Sequence, residues 1–285
     1  MITLNGRDVS THVRQKLTSD ISIWSKTSGR APGLAVVLIG DDPASHVYVK
    51  NKVKSCENVG IQSRRVQLSA GASFGEVKTE IEALNVDNSV DGILVQLPLP
   101  KHLNEKKVLE LIDPSKDADG LTVHNNGLLY SGEAEILPCT PSGIIEMLKH
   151  YNVEMAGKKA VVVGRSHIVG LPMFYLLQKE NATVTLCHSK TEDLKSHTSE
   201  ADIVVVAAGR PEFLGRDAFK KGAVVIDVGI HRKSVEGKTK LVGDVCFPEL
   251  EGWVRAASPV PRGVGPMTIT MLLVNTFKIA QRNPS

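Results

Sequence analysis

The sequence predicts an α/β protein of two domains, the second a Rossmann-like doubly wound parallel sheet, and three observations carry that reading. Short apolar runs alternate with amphipathic segments along most of the chain, the pattern of successive strand and helix units. One run, Ala160 to Val163, stops abruptly at Gly164 and leads through Arg165-Ser166-His167 into an amphipathic segment from Ile168 to about Leu177. That is a strand, a tight turn and a helix. Between the halves, a polar stretch from Asp113 to Gly120 begins a region expected to stay irregular to about Cys139. The expected domains are residues 1–120 plus 268–285, an α/β catalytic domain, and residues 121–267, the doubly wound domain.

Composition narrows the classes. A chain of 285 residues with 42% hydrophobic content is long enough for two cores. A net charge of +3, with Lys and Arg interspersed among Asp and Glu, is too small to argue for nucleic acid, and no nucleic-acid partner is expected. Cys56, Cys139, Cys187 and Cys246 lie far apart with no metal-ligand spacing, so no metal and no disulfide framework is expected, and a reducing compartment fits. No window approaches the length of a membrane span and the amino terminus lacks a signal pattern, so a cytoplasmic protein is expected.

Taken in order, apolar residues at Val9, Val13, Leu17, Ile21 and Trp24 predict a helix from Asp8 to Trp24. Leu34 to Ile39 is apolar on both faces, as a buried parallel strand must be. Asp42 and Pro43 then have the chemistry of an N-cap and a first helical residue. On that helix Val49, Val53 and Cys56 form a stripe, and Tyr48 and Lys52, four apart, can meet. Ser63 to Leu68 reads as a strand, Ser73 and Glu76 as a capping box, and Ile93 to Leu97 as another buried strand carrying one polar anomaly, Gln96. Asn104 to Ile112 reads as helix, and Thr140-Pro141-Ser142 caps one running to His150. Strands follow at Ala160–Val163, Thr183–Cys187, Ile203–Ala207 and Ala223–Val228; Asp227-Val228-Gly229-Ile230 closes the fourth, at the edge where such sheets bind ligands. A rigid loop from Ser258 to Thr268 precedes the last helix, Thr268 to about Ala280, which is expected to pack on the first domain.

The Gly164 turn places a helix N-terminus, with unpaired N–H groups and the positive dipole end, at a strand's carboxyl edge, where anions bind. A cofactor with a free ribose 2′-hydroxyl usually meets an Asp or Glu about 20 residues further on. This chain offers His188, Ser189 and Lys190 there, with Arg165 and Ser166 in the turn. The missing carboxylate and the added cations read as an NADP site in preference to NAD.

Tyr48 and Lys52 could equally be a solvated helix pair, and a lysine acts as a base only where burial or neighbouring charge favours its neutral form. Short-chain dehydrogenases also place Tyr-x-x-x-Lys beside a nicotinamide, but there the glycine turn comes first; here the pair precedes it by more than a hundred residues. Asp119, just before Gly120, reads either as a turn residue or as a ligand-facing carboxylate.

Together the motifs resemble the bifunctional methylenetetrahydrofolate dehydrogenase/cyclohydrolases. Pro43-Ala44-Ser45-x-x-Tyr48-Val49-x-x-Lys52 resembles that family's active-site helix, Val95-Gln96-Leu97-Pro98-Leu99-Pro100 its glutamine strand, and Lys116-Asp117-x-Asp119-Gly120-Leu121 its folate loop. Pro138-Cys139-Thr140-Pro141, the segment Val163 to Pro172, and Pro259-Val260-Pro261-x-Gly263-Val264-Gly265-Pro266-Met267-Thr268 complete six motifs in the family's order.

The resemblance implies two α/β domains flanking a cleft and a homodimer formed through the NADP-binding domains. It implies two reactions: 5,10-methylenetetrahydrofolate gives a hydride to NADP+, and water then opens the methenyl product to 10-formyltetrahydrofolate. By it, Lys52 is the central catalytic group, Tyr48 stacks on or orients the folate, Gln96 holds Lys52 and Asp119 hydrogen-bonds the pterin. Leu97, Pro261 and Gly263 complete the substrate contacts, while Gly164, Arg165, Ser166, His188, Ser189 and Ile230 hold the NADP. Lys52 with Gln96 speaks against a monofunctional dehydrogenase, and intact Tyr48, Lys52, Gln96 and Asp119 speak against a nucleotide sensor without turnover. No fused synthetase domain is expected. One departure stands out: Arg262 occupies a position where the family's pattern has glycine. A φ above zero there would strain the loop, whereas a negative φ would simply add a cation on the folate side; comparing KM for mono- and polyglutamated substrate in Arg262→Gly tests a contribution to tail binding.

Overall fold

The computed structural model describes residues 1–235 and 238–282. The chain divides into two compact units, one of Met1–Thr11 with Thr140–Thr268, the other of His12–Cys139 with the chain from Ile269 onward. This division differs in three places from boundaries at 120/121 and 267/268 with the amino terminus in the first domain: residues 1–11 and 121–139 change sides, and the last boundary falls one residue later, after Thr268. A two-residue strand, β1 (Ile2–Thr3), joins the larger sheet, because Ile2 and Thr3 pair in parallel with Ala256 and Ala257. Residues 121–139 stay with the smaller sheet, tied by the buried Asp117 carboxylate, which accepts from the N–H groups of Gly120 and Thr122 and from Asn125 Nδ2.

The three-strand unit begins with most of helix α1 (Gly6–Ser28) and is built on β2 (Gly33–Ile39), flanked in parallel by β3 (Gln62–Leu68) and β4 (Gly92–Val95). Every residue of β2 is buried, and the alternation of the pleat divides them between two cores. Leu34, Val36 and Leu38 pack with Leu17 and Ile21 of α1, Val49 and Cys56 of α2 (Pro43–Val59), and Leu273 and Phe277 near the carboxyl terminus. Ala35, Val37 and Ile39 pack with Val77, Ile81 and Leu84 of α3 (Phe74–Val86) and with Val108 of α4 (Glu105–Leu109). Each Val, Leu, Ile or Phe side chain among these stabilises the unit by roughly 1.5–3 kcal/mol.

Local chemistry sets the helix ends. The Asp42 side chain accepts from Ser45 N at 2.8 Å with Pro43 in the first turn, and Gly60 ends α2 at φ 86°. Ser73 and Glu76 form the reciprocal capping box of α3. β4 stops at Val95, two residues short of the expected end, although Gln96 N still donates to Val37 O at 2.8 Å. The stretch expected to be irregular holds a helix, α5 (Val123–Ser131), capped by Thr122 and closed by Gly132; a glycine at 127 and few apolar residues hid its periodicity.

In the six-strand unit, helix α6 (Cys139–His150) leads to a fully parallel sheet of order β1-β11-β8-β7-β5-β6. Its members are β5 (Lys159–Val163), β6 (Thr183–Cys187), β7 (Ile203–Val206), β8 (Val224–Asp227) and β11 (Ala256–Ala257). The chain leaves β5 on one side for β6 and returns on the other for β7, so strand order reverses between β5 and β7. Ligands bind at the carboxyl ends of such a reversal. Helix α7 (Gly170–Lys179) follows the β5 turn, α8 (Leu194–Thr198) follows β6, and an antiparallel hairpin of β9 (His231–Val235) and β10 (Lys238–Val242), absent from the sequence reading, follows β8. The last helix, α9 (Val264–Arg282), starts four residues before Thr268, since a proline at position 266 sits in its first turn, where no N–H is needed. Among the described residues no helix is long and apolar enough to cross a membrane.

Candidate functional site

The inward face of α2 carries Ser45, Val49, Lys52, Ser55, Cys56 and Val59, helical spacing that would be an ordinary core stripe but for one lysine. Lys52 retains only 8% of its surface, and its Nζ donates to Gln96 Oε1 at 2.9 Å. Gln96 is held in turn: its Nε2 donates to Leu97 O at 2.6 Å, which leaves the amide oxygen aimed at the lysine. The partner is therefore neutral. A carbonyl accepts equally from an ammonium or a free amine and supplies no counter-charge, so burial lowers the Lys52 pKa, opposed by the negative charge of Asp119.

Asp119 lies on the loop that the buried Asp117 pins, and a single bridge between Asp117 and Ile93 lays that loop along β4. Asp119 is half-buried; loss of water pushes its carboxyl pKa up, while Lys52 and the Cys139 thiol pull it down. Lys52 and Asp119 thus form a coupled pair whose surroundings favour neutral forms of both groups more than water does. Burial and the neighbouring Asp119 raise the Cys139 thiol well above its ordinary value, so it stays protonated. Asn275 of α9 closes the group from beneath, donating from Nδ2 to Ala118 O at 2.9 Å and Leu137 O at 2.8 Å. Asn275 had no local signal in the sequence, since it donates to carbonyls 157 and 138 positions away; Asp117 gathers its donors only three, five and eight positions ahead, the local pattern of a carboxylate that pins its own loop.

Of the predicted residues in this unit, Lys52, Gln96 and Asp119 come together. Tyr48, one turn earlier on α2, keeps 39% of its surface open, and Leu97 is half-buried. The arrangement offers a desolvated amine, a fixed amide and a desolvated carboxyl, with an exposed ring one helical turn from the amine.

The remaining predicted residues lie in the six-strand unit. Gly164 ends β5 at φ 125°, and a Cβ there would lie 2.2 Å from Ala207 O, so only glycine lets the turn run against the end of β7. Ser166 Oγ accepts from Val169 N at 3.1 Å, shaping the turn into α7, and Arg165 is exposed. At the end of β6, Nδ1 of His188 accepts from Lys190 N at 3.1 Å, while Ser189 and Lys190 are exposed. The first carboxylates come later, and Asp193 caps α8. This edge suits a phosphorylated ribose: a helix N-terminus, two exposed cations and no carboxylate at the strand end. Ile230 leaves 50% of an apolar side chain exposed at the end of β8. Pro261 is exposed and Gly263 buried, its absent Cβ avoiding Pro259 O at 2.4 Å. Arg262 between them has φ 84°, the strained alternative, and its carbonyl accepts from Arg7 N at 3.2 Å. Among the described residues no group of three His, Cys, Asp or Glu side chains is placed to hold a metal ion.

A doubly wound unit with an anion-ready glycine turn, and a second α/β unit with a buried amine, define a nucleotide-dependent α/β enzyme. Its family follows from comparison with known proteins. Residues 4–119 match the catalytic domain of tetrahydrofolate dehydrogenase/cyclohydrolase, and residues 138–284 match the NAD(P)-binding domain of the same family. The bifunctional protein FolD of Bdellovibrio bacteriovorus is 53% identical over 282 residues, covering 99% of this chain and 97% of its own. The Campylobacter jejuni bifunctional FolD structure superposes with a TM-score of 0.95 at 45% identity, covering 99% of both chains. The Trypanosoma brucei dehydrogenase-cyclohydrolase, solved with NADP and an inhibitor, gives 0.95 at 38% identity, covering 99% of this chain and 98% of its own. The chain belongs to the tetrahydrofolate dehydrogenase/cyclohydrolase family.

Proposed function

We propose that the protein oxidises 5,10-methylenetetrahydrofolate to the 5,10-methenyl cation with NADP+ and then hydrolyses that cation to 10-formyltetrahydrofolate. The observation that carries the second activity is the buried Lys52 amine held by a neutral amide. NADP+, when bound, accepts the hydride, a step that needs no acid and only close alignment of the reacting carbons. The Gly164 turn, Arg165 and Ser166, with His188, Ser189 and Ile230, are the residues assigned to hold it.

In the hydrolysis, the Lys52 amine takes the proton of the water that attacks the methenyl carbon, which contributes roughly a hundred- to ten-thousandfold. Gln96 fixes the amine's position, Asp119 hydrogen-bonds the pterin, and Tyr48 presents its ring to the folate. The hydroxyl adds to the cation, one carbon–nitrogen bond opens, and the product leaves as the formyl compound with one proton released. A sensor without turnover would have no use for a desolvated amine, whose burial costs stability.

The four cysteines are free thiols, which supports a cytoplasmic setting, and the edge strand β6 supports a homodimer through the six-strand units, to be read by analytical ultracentrifugation. Purified protein given methylenetetrahydrofolate and NADP+ should raise the methenyl absorbance, and added methenyl compound should then decay faster than in buffer. Methenyl formation without accelerated decay would leave a monofunctional dehydrogenase.

A further inference from the structure

In the six-strand unit the Asp244 side chain is fully shielded from solvent, and its carboxylate gathers donors from two separate segments. Oδ2 accepts the N–H groups of Ala208 at 2.6 Å and Gly209 at 3.0 Å; Oδ1 accepts Arg210 N–H at 3.0 Å and His231 Nε2 at 2.7 Å. Three consecutive backbone N–H groups converging on one point form the concavity that proteins use to hold anions. Here the chain's own carboxylate fills it from beneath. Asp244 is itself anchored, since the Asp227 carboxylate at the end of β8 accepts the N–H groups of Asp244 and Val245, each at 2.9 Å.

The segment so held follows β7, and its outer side is open: Gly209 and Arg210 are exposed. It also abuts the glycine turn, because Ala207 O occupies the space a Cβ on Gly164 would need, 2.2 Å away. The two segments meet at the reversal of strand order between β5 and β7, where a dinucleotide lies in sheets of this kind. A shift of residues 208–210 therefore moves one wall of that crevice.

We propose that Asp244, steadied by His231, is a positioning residue for the dinucleotide: it fixes residues 208–210 from below so that their open side presents a constant surface to NADP. The proposal rests on the NADP reading above. It requires a carboxylate specifically. An asparagine of the same shape has one acceptor oxygen, and its NH2 group must face either the Ala208 and Gly209 N–H groups or those of Arg210 and His231, donor against donor. The loop has to move to escape that contact.

The test uses the full chain with Asp244→Asn and His231→Ala, measuring the NADP+ dissociation constant by calorimetry, nucleotide-free hydrolysis of the methenyl compound, and thermal unfolding. The dissociation constant should rise roughly tenfold in Asp244→Asn and about threefold in His231→Ala, with hydrolysis unchanged. Unchanged NADP+ affinity in both variants would overturn the proposal, as would hydrolysis falling in step with affinity, the mark of general destabilisation. If Asp244→Asn fails to fold, His231→Ala decides alone: weaker NADP+ binding supports the proposal and unchanged binding overturns it. A wild-type protein that binds no NADP+ would instead overturn the underlying reading, and the proposal with it.

Discussion

Lys52 Nζ donates to Gln96 Oε1 at 2.9 Å, and the only charge offered by that partner is the partial one of an amide. Replacing Gln96 with glutamate keeps the length of the contact and adds a full negative charge, which favours the ammonium form and raises the Lys52 pKa. The rate of methenyl hydrolysis at pH 7 should fall roughly tenfold, with the rising limb of its pH profile displaced to higher pH. A limb that stays in place would show that Gln96 does not tune the amine.

Burial lowers the Lys52 pKa below the ordinary lysine value of 10.5. In the window between the folded and unfolded values the unfolded chain binds the extra proton, so unfolding free energy rises with pH across it. Lys52→Met removes both the burial cost and that slope. Its unfolding free energy should therefore rise less with pH below 10.5 than that of the wild type, as read by denaturant unfolding at several pH values; an unchanged slope would show that Lys52 carries no lowered pKa in the folded chain.

Arg262 holds φ 84° between Pro261 and Gly263. A non-glycine residue in that region costs about 1 kcal/mol or more, and glycine removes the strain. Arg262→Gly should raise the melting temperature by about 2–4 °C. A fall would mean that the guanidinium makes contacts outweighing the strain.

Arg165 and Ser189 are both exposed at the carboxyl ends of β5 and β6, where a 2′-phosphate would be met. Exchanging each for alanine should raise KM for NADP+ roughly tenfold while changing KM for NAD+ less than about twofold. Equal weakening of the two cofactors would remove the phosphate assignment.

What the sequence made legible was what local chemistry decides. The Asp42 cap, the Ser73–Glu76 box and the doubly apolar β2 each rest on residues a few positions apart, and each is present. β1 and β11 have two residues apiece and no periodicity to read; they exist because partners 254 residues apart align, as Ile2 does with Ala256. The site divides the same way. Gln96 was visible as a polar intruder in an apolar strand and Lys52 only through its spacing from Tyr48, whereas Asn275 and Asp244 work through contacts with residues far along the chain that no neighbouring residue announces. Arg262 is intermediate: the missing glycine was plain, but only the backbone angle decided its consequence.

The most direct test of the account compares Lys52→Met with wild type in two assays on one preparation: decay of the methenyl absorbance, and NADP+ binding. The account predicts hydrolysis slowed by about a hundredfold or more with NADP+ affinity within about twofold of wild type. Hydrolysis near the wild-type rate, or NADP+ affinity lost along with it, would contradict the role given to the buried amine.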